Sequence, residues 1–166
     1  IIDEDKHTHT IQVDLMSPEY AGSAPDHRHQ HVQDILARKG RGVDLAFASP
    51  VERRLEGVLP NKAKNAVTLR IANLVACFTM KAITFRNRGK EKDAYDLYMV
   101  IKQYPAGLDA VIAELRESRN NKLVREALDA AAESFQSTES MGPVAVADFQ
   151  ELAPGDEREI IIRDAY

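Results

Sequence analysis

One cysteine, Cys77, is all the thiol chemistry the chain has, so no internal disulfide can form. A reducing, cytoplasmic setting is the expectation that follows. Also missing is any run of the roughly 18–20 uninterrupted apolar residues that a membrane-spanning helix needs. Nothing in the opening residues reads as a charged-then-apolar secretory leader. Positive charge is in short supply too: the formal net charge is −4. Strong bulk attraction to nucleic acid is therefore not expected, and any affinity for phosphate must come from a local patch. There is no initiator methionine at Ile1 and no helix stop signal in EREIIIRDAY, which ends at Tyr166. We therefore expect a piece of a longer protein.

What is there is globular. The 166 residues are 44% hydrophobic and 29% charged, which is enough apolar material for a packed core in one domain or two small ones. Thr8–Met16 (THTIQVDLM) reads as a strand, with Ile11, Val13 and Leu15 alternating against Thr10, Gln12 and Asp14. A loop is expected from Tyr20 to His31, and a short helix or strand from Val32 to Lys39. Val43–Ala48 is short and mostly apolar, the pattern of a second strand. Ser49-Pro50 followed by Glu52 resembles a helix start, with that helix running to about Leu59 and stopping at Pro60. Val67–Leu69 reads as a brief strand.

Helical periodicity then takes over. Ile71, Leu74, Val75, Phe78, Ala82 and Phe85 share one face of a helix over about Ile71–Phe85, which Gly89 ends. Further helices are expected over Lys92–Gln103, Gly107–Glu117 and Asn120–Phe135. Gln136–Pro143 reads as a loop, and a last helix begins at Asp156. Strands early and helices late make the class α+β. The expected architecture is a small sheet in residues 1–60 followed by a helical bundle in residues 61–166.

Three residue groups stand out against this pattern. Lys81 lies at the edge of its own helix's apolar arc, where it must either reach water or meet an anion. Asp93 and Asp96 are three apart on one helix face. Leu97, Val100 and Tyr104 share that face with Asp93, so a carboxylate points along a stripe meant for burial. Capping or dipole compensation after Gly89 is the other reading of these acids. Asp14 sits mid-strand, where aspartate is disfavoured, and an ordinary exposed residue is the alternative there. Carboxylates that hold a divalent cation, beside a lysine that neutralises a triphosphate, are the parts that phosphoryl chemistry uses.

The run MKAITFRNRGKEKDAYDLYMVI resembles the signature of the AbiEii-type toxin nucleotidyltransferases of the DNA polymerase β-like superfamily. The positions that carry the likeness are Lys81, Ala82, Arg88, Gly89, Lys92, Asp93 and Tyr95–Tyr98. TLRIANLVACFTMK resembles the segment that leads into the family's lysine, and TIQVDLM resembles the strand bearing the superfamily's third metal-site carboxylate, at Asp14. The resemblance implies a toxin-like enzyme that moves a nucleotide from an NTP to an acceptor with Mg2+. It implies that Asp14 binds the metal or activates the acceptor, that Lys81 contacts the triphosphate, and that Asp93 or Asp96 positions Lys81 or acts as base. Arg88 and Lys92 join Lys81 as nucleotide-binding residues. The implied partners are an NTP, an acceptor that the sequence does not name (RNA, a protein or a small molecule) and an antitoxin protein. Two departures weigh on this. Lys92 stands where the family usually has arginine, and the superfamily's Gly-Ser and Asp-x-Asp motifs are absent. Asp3-Glu4-Asp5 contains an Asp-x-Asp with no Gly-Ser before it, and reads as a charged loop. We therefore expect the carboxy-terminal portion of such an enzyme, inactive unaided, with a non-catalytic interaction module of the same fold as the alternative.

All five histidines fall early, at His7, His9, His27, His29 and His31. HTH in a strand puts His7 and His9 on one face, which invites a zinc reading, whereas Gly22 and Pro25 favour a solvated loop for the rest. Lys81, Arg86, Arg88, Lys90 and Lys92 place five basic residues within twelve. That cluster suits nucleotide phosphates or RNA, or else a solvated helix–helix turn balanced by Glu91, Asp93 and Asp96. Cys77, beside the apolar face, reads as inert core.

Overall fold

A computed structural model describes Thr10, residues 13–19 and residues 29–166. It divides into two compact units, Ile1–Gly40 and Arg41–Tyr166.

In the first unit β1 (Met16–Pro18), β2 (His29–Val32) and β3 (Ile35–Gly40) form a three-stranded sheet in the order β1-β3-β2. β1 runs parallel to β3, with Met16 opposite Arg38, and β2 pairs antiparallel with it. The expected strand over residues 8–16 is thus corrected where it is described. Residues 13–15 precede β1, and Val13 and Leu15 are exposed (75% and 52%) rather than facing a core. Among the described residues β3 is the only strand beside β1. His29 and His31 belong to β2, not to a loop, and both are exposed. His7, His9, His27 and Asp3–Asp5 lie outside the described residues.

The second unit opens with two reversals of the sequence expectations. Val43–Ala48 is a helix, α1, not a strand. Gly42 precedes it with φ 84°, a left-handed conformation that glycine adopts without a Cβ penalty. The segment after Ser49-Pro50 is a strand, β4 (Val51–Val58), not a helix. It pairs along its full length with β5 (Lys64–Ile71), Val51 opposite Ile71 and Val58 opposite Lys64. Read at period two, VERRLEGV and KNAVTLRI put Val51, Leu55, Val67, Leu69 and Ile71 on one face. That alternation outweighs the local capping signal, because sixteen residues gain a ladder that a lone Ser-Pro cap does not offer. Pro60 lies in the hairpin turn, where the Lys62 amide donates to the Leu59 carbonyl at 2.8 Å.

The helices follow the periodicity. α2 (Leu74–Arg88) starts at Asn73, whose side chain accepts from the Ala76 amide at 2.9 Å, and ends at Gly89, left-handed at φ 60°. α3 (Glu91–Lys102), α4 (Gly107–Ser118) and α5 (Lys122–Ser134) come next. Leu74, Phe78, Ala82, Ile83, Leu97, Val111, Leu115, Ala127 and Ala130 from α2–α5 make the main core. Ile71 is not part of α2; it closes β5. The expected loop over Gln136–Pro143 is shorter than that, because α6 (Met141–Phe149) begins inside it. Pro143 falls in the first turn, where its missing N–H has no intrahelical partner to lose. α6 packs on α3, with Phe85, Ala94, Tyr98, Ala145 and Val146 in a second core, and α7 (Asp156–Ala165) lies against α6. Small mixed sheets with seven helices among the described residues make the protein α+β. None of those helices is long and apolar enough to cross a membrane.

Candidate functional site

Gly89 lets α2 stop and α3 start within two residues, so α3 folds back along α2. Lys81 and Arg88 are seven residues apart, about two turns, and therefore lie on one side of α2. Asp93 and Asp96, three apart, lie on one side of α3. The turn brings the two sides together. Arg88, near the turn, meets Asp93; Lys81, two turns back, meets Asp96 as well.

The geometry is a five-residue charge network. Lys81 Nζ lies 2.5 Å from Asp96 Oδ2 and 3.5 Å from Asp93 Oδ1. Lys92 Nζ, one turn before Asp96, donates to both of its oxygens at 2.8 and 3.0 Å. Arg88 forks onto Asp93 through Nε at 2.6 Å and Nη2 at 2.9 Å. Asp93 is 1% exposed, Asp96 24% and Lys81 34%. Asp93 does not cap its helix: no side-chain cap bond is made at the start of α3, and both carboxylate oxygens go to α2. Burying that carboxylate is tolerable only because a bidentate guanidinium meets it.

Electrostatics agree with the contacts. Burial would raise the Asp96 carboxyl, but hydrogen bonds from Lys81 and then Lys92 outweigh it and hold the group below the ordinary carboxylate range. The Arg88 guanidinium is pushed up, chiefly by its hydrogen bond to Asp93. Three cations against two carboxylates leave the network with a net charge of +1, at an accessible surface.

Of the residues singled out in the sequence, Lys81, Arg88, Lys92, Asp93 and Asp96 are brought together. Asp14 belongs to the other unit. It is not mid-strand but just before β1, and its Oδ2 accepts from Arg38 Nη1 at 3.0 Å with both side chains 43% exposed. Among the described residues no group of three or more His, Cys, Asp or Glu side chains comes together around a metal-sized position. One exposed carboxylate engaged with an arginine does not supply the oxygen shell that magnesium requires, so the described residues do not by themselves fit that ion.

Glu126 was not singled out in the sequence. From α5 it accepts from Arg86 at 2.6 Å and from both terminal nitrogens of Arg41 at 2.6 Å. Arg86 of the basic run is therefore committed to the bundle, away from Lys81. α5 also carries Asp129 and Glu133, so nothing in the sequence alone sets Glu126 apart.

A family model described as "Nucleotidyl transferase AbiEii toxin, Type IV TA system" matches residues 23–160. No curated protein and no solved structure matches the chain. The family match takes in the whole of the α2–α3 turn with its Lys81, Arg88, Asp93 and Asp96, and covers most of the sequence; the chain belongs to the AbiEii nucleotidyl transferase toxin family.

Proposed function

We propose that the protein is a magnesium-dependent, toxin-like nucleotidyltransferase that moves a nucleotide from an NTP to an acceptor. The observation that carries this reading is the Lys81 ammonium, held in place by Asp96 and Asp93 while still a third exposed. A fixed cation in that setting meets a polyphosphate without the entropy loss of ordering a free lysine. In the transfer, an acceptor hydroxyl releases its proton to solvent as its oxygen forms a bond to the α-phosphorus, the bond from that phosphorus to the β-phosphate bridge breaks, and pyrophosphate leaves. Lys81 offsets the charge that builds on the leaving group. Lys92, the most exposed of the cations, exchanges Asp96 for a phosphate oxygen. Arg88 is a positioning residue: its fork is occupied by Asp93, which in turn helps hold Lys81. The sequence expectation that Arg88 binds nucleotide is thereby narrowed.

Magnesium, when bound, supplies neutralisation of the triphosphate. The described residues do not complete its shell, so neither a donor among them nor a step is assigned to the metal. RNA is the acceptor class that the exposed Lys90 and Lys92 near Lys81 suit, an antitoxin protein is the partner, and the cytoplasm the setting that a single thiol suits.

A non-catalytic module is the second reading, and a specific observation favours it: the carboxylates that are described gather cations and not a metal site. Radioactive NTP and a mixture of cellular RNA and protein, given to the complete gene product, separate the two. Label on an acceptor that is lost in Lys81→Ala and in Asp93→Ala, with circular dichroism unchanged, supports the enzyme. Wild-type labelling by Lys81→Ala would refute the role given to the lysine, and no label from the wild type leaves the module.

A further inference from the structure

The stripe that carries Lys81 continues along α2. Cys77 lies one turn earlier, and Asn73 one turn before that, at the N-cap. On α3 the side that carries Asp96 continues one turn later to Met99 and then to Gln103. These four residues, with Arg53 and Ile71 at the base of the β4–β5 hairpin, line a groove of about 540 Å³. Small-molecule sites run from roughly 300 to 1,000 Å³, so the groove is of the size that takes a nucleoside. The groove and the Lys81–Asp96 pair are thus successive turns of the same two helices. The Cys77 thiol registers that closeness: burial raises its pKa, and the positive charge of Lys81 pulls it part of the way back.

We infer that this groove holds the nucleoside of an NTP whose polyphosphate reaches Lys81 and Lys92. The inference rests on the nucleotidyltransferase reading and adds where the base and ribose lie. Ile71 and Met99 give apolar surface for a base plane, and the side-chain amides of Asn73 and Gln103 are groups able to pair with base edges or ribose hydroxyls. Charge sets the direction. The +1 network lies on the Lys81 side, whereas the groove itself is lined by one cation, Arg53, and one acid, Glu114, which accepts from the Tyr104 hydroxyl. The surplus positive charge that attracts a triphosphate is therefore on the Lys81 side. Another cavity, of about 460 Å³, lies between α3, α4, α5 and α7. Its lysine, Lys102, is already held by Asp164 and by the Tyr98 hydroxyl, so it offers a phosphate no unbalanced cation.

Cys77 makes the test direct, because its alkylation rate reports whether the groove is filled. The complete gene product is treated with N-ethylmaleimide at mildly alkaline pH, and the Cys77 peptide is followed by mass spectrometry. Parallel samples contain each of the four NTPs, the matching nucleosides, or inorganic tripolyphosphate, with binding of each measured by calorimetry. The expected result is several-fold slower alkylation with an NTP, slower alkylation with its nucleoside at higher concentration, and no protection by tripolyphosphate. Calorimetric NTP binding with an unchanged alkylation rate overturns the groove assignment and leaves the transferase reading standing. Equal protection by tripolyphosphate overturns it too, because phosphate and not nucleoside then covers the thiol. Absence of any binding by NTP and tripolyphosphate removes both.

Discussion

Arg88 grips the buried carboxylate of Asp93 with two nitrogens, at 2.6 and 2.9 Å, five residues along the chain and across the Gly89 turn. Removing the arginine leaves Asp93 in an interior site with only the longer 3.5 Å contact to Lys81. Arg88→Ala is therefore expected to lower stability by about 3 kcal/mol, the scale of breaking a buried pair from one side. Asp93→Ala exposes no buried charge and is expected to cost less. The double variant Arg88→Ala/Asp93→Ala is expected to lose less than the sum of the two single losses, since no carboxylate is then stranded. Urea unfolding of the four proteins measures the cycle. Simple additivity of the two single losses would show that the pair is not coupled.

The acid limb of stability is expected to run through Asp96. Its folded carboxyl lies below the ordinary value of 3.8, so its contribution is fully present above that value and is lost as pH falls through the lower folded value. Asp96→Asn removes this dependence. Thermal melts between roughly pH 5 and 2 are expected to show a flatter decline for Asp96→Asn than for the wild type. Parallel declines would mean that Lys81 and Lys92 do not favour the charged form.

Much of the site could be read from sequence because it is built on two helices whose period is regular. Lys81 departs from an apolar arc and Asp93 from a buried stripe, and such departures are visible in one chain. Their pairing is then a consequence of one glycine. The errors came where elements are short. Val43–Ala48 carries five apolar or small residues and one acid, Asp44, without a resolvable period, so helix and strand cannot be told apart without the left-handed Gly42 before it. Ser49-Pro50 is a sound helix cap in isolation, and only the partner strand at Lys64–Ile71 reveals β4. Gly142 and Pro143 disguised α6 for the same reason: composition is local, whereas burial against α3 is not. Arg88 and Arg86 show the limit at the site. Their positive charge is evident in the sequence, but the acids that occupy them, one across a turn and one forty residues on at Glu126, are set by packing.

Glu126 joins α5 to α2 through Arg86 and to the start of the second unit through Arg41. Its loss strands two arginines that retain access to water, so the penalty is smaller than for Asp93. Glu126→Ala is expected to cost about 1–2 kcal/mol, within the range for partly exposed charged hydrogen bonds. Nucleotide binding by the Lys81 network is expected to be unchanged, because Arg86 faces Glu126 and makes no contact with Asp93 or Asp96. Chemical denaturation together with calorimetry of NTP binding checks both halves; a large loss of NTP affinity would mean that Arg86 reaches the phosphates.

Gly142 offers the sharpest packing test. A Cβ at that position would sit 2.6–2.7 Å from three atoms of the Phe135 ring, closer than real Cβ atoms approach anything. The ring is not free to swing away, since it packs at 6.1 Å from Phe85 within the second core. Either α6 or the ring must shift, and overpacking of this kind costs about 1–3 kcal/mol. Helix propensity pulls the other way, because alanine is better than glycine inside a helix by roughly 1 kcal/mol. The clash is the larger effect, so Gly142→Ala is expected to destabilise despite the helical gain. Gly57→Ala is the control. Its Cβ would meet nothing within 4 Å, and its backbone has no positive φ, so unfolding close to wild type is expected. Should Gly142→Ala melt above the wild type, α6 would have room to move off α5, and the second core would be looser than the Phe85–Phe135 contact implies.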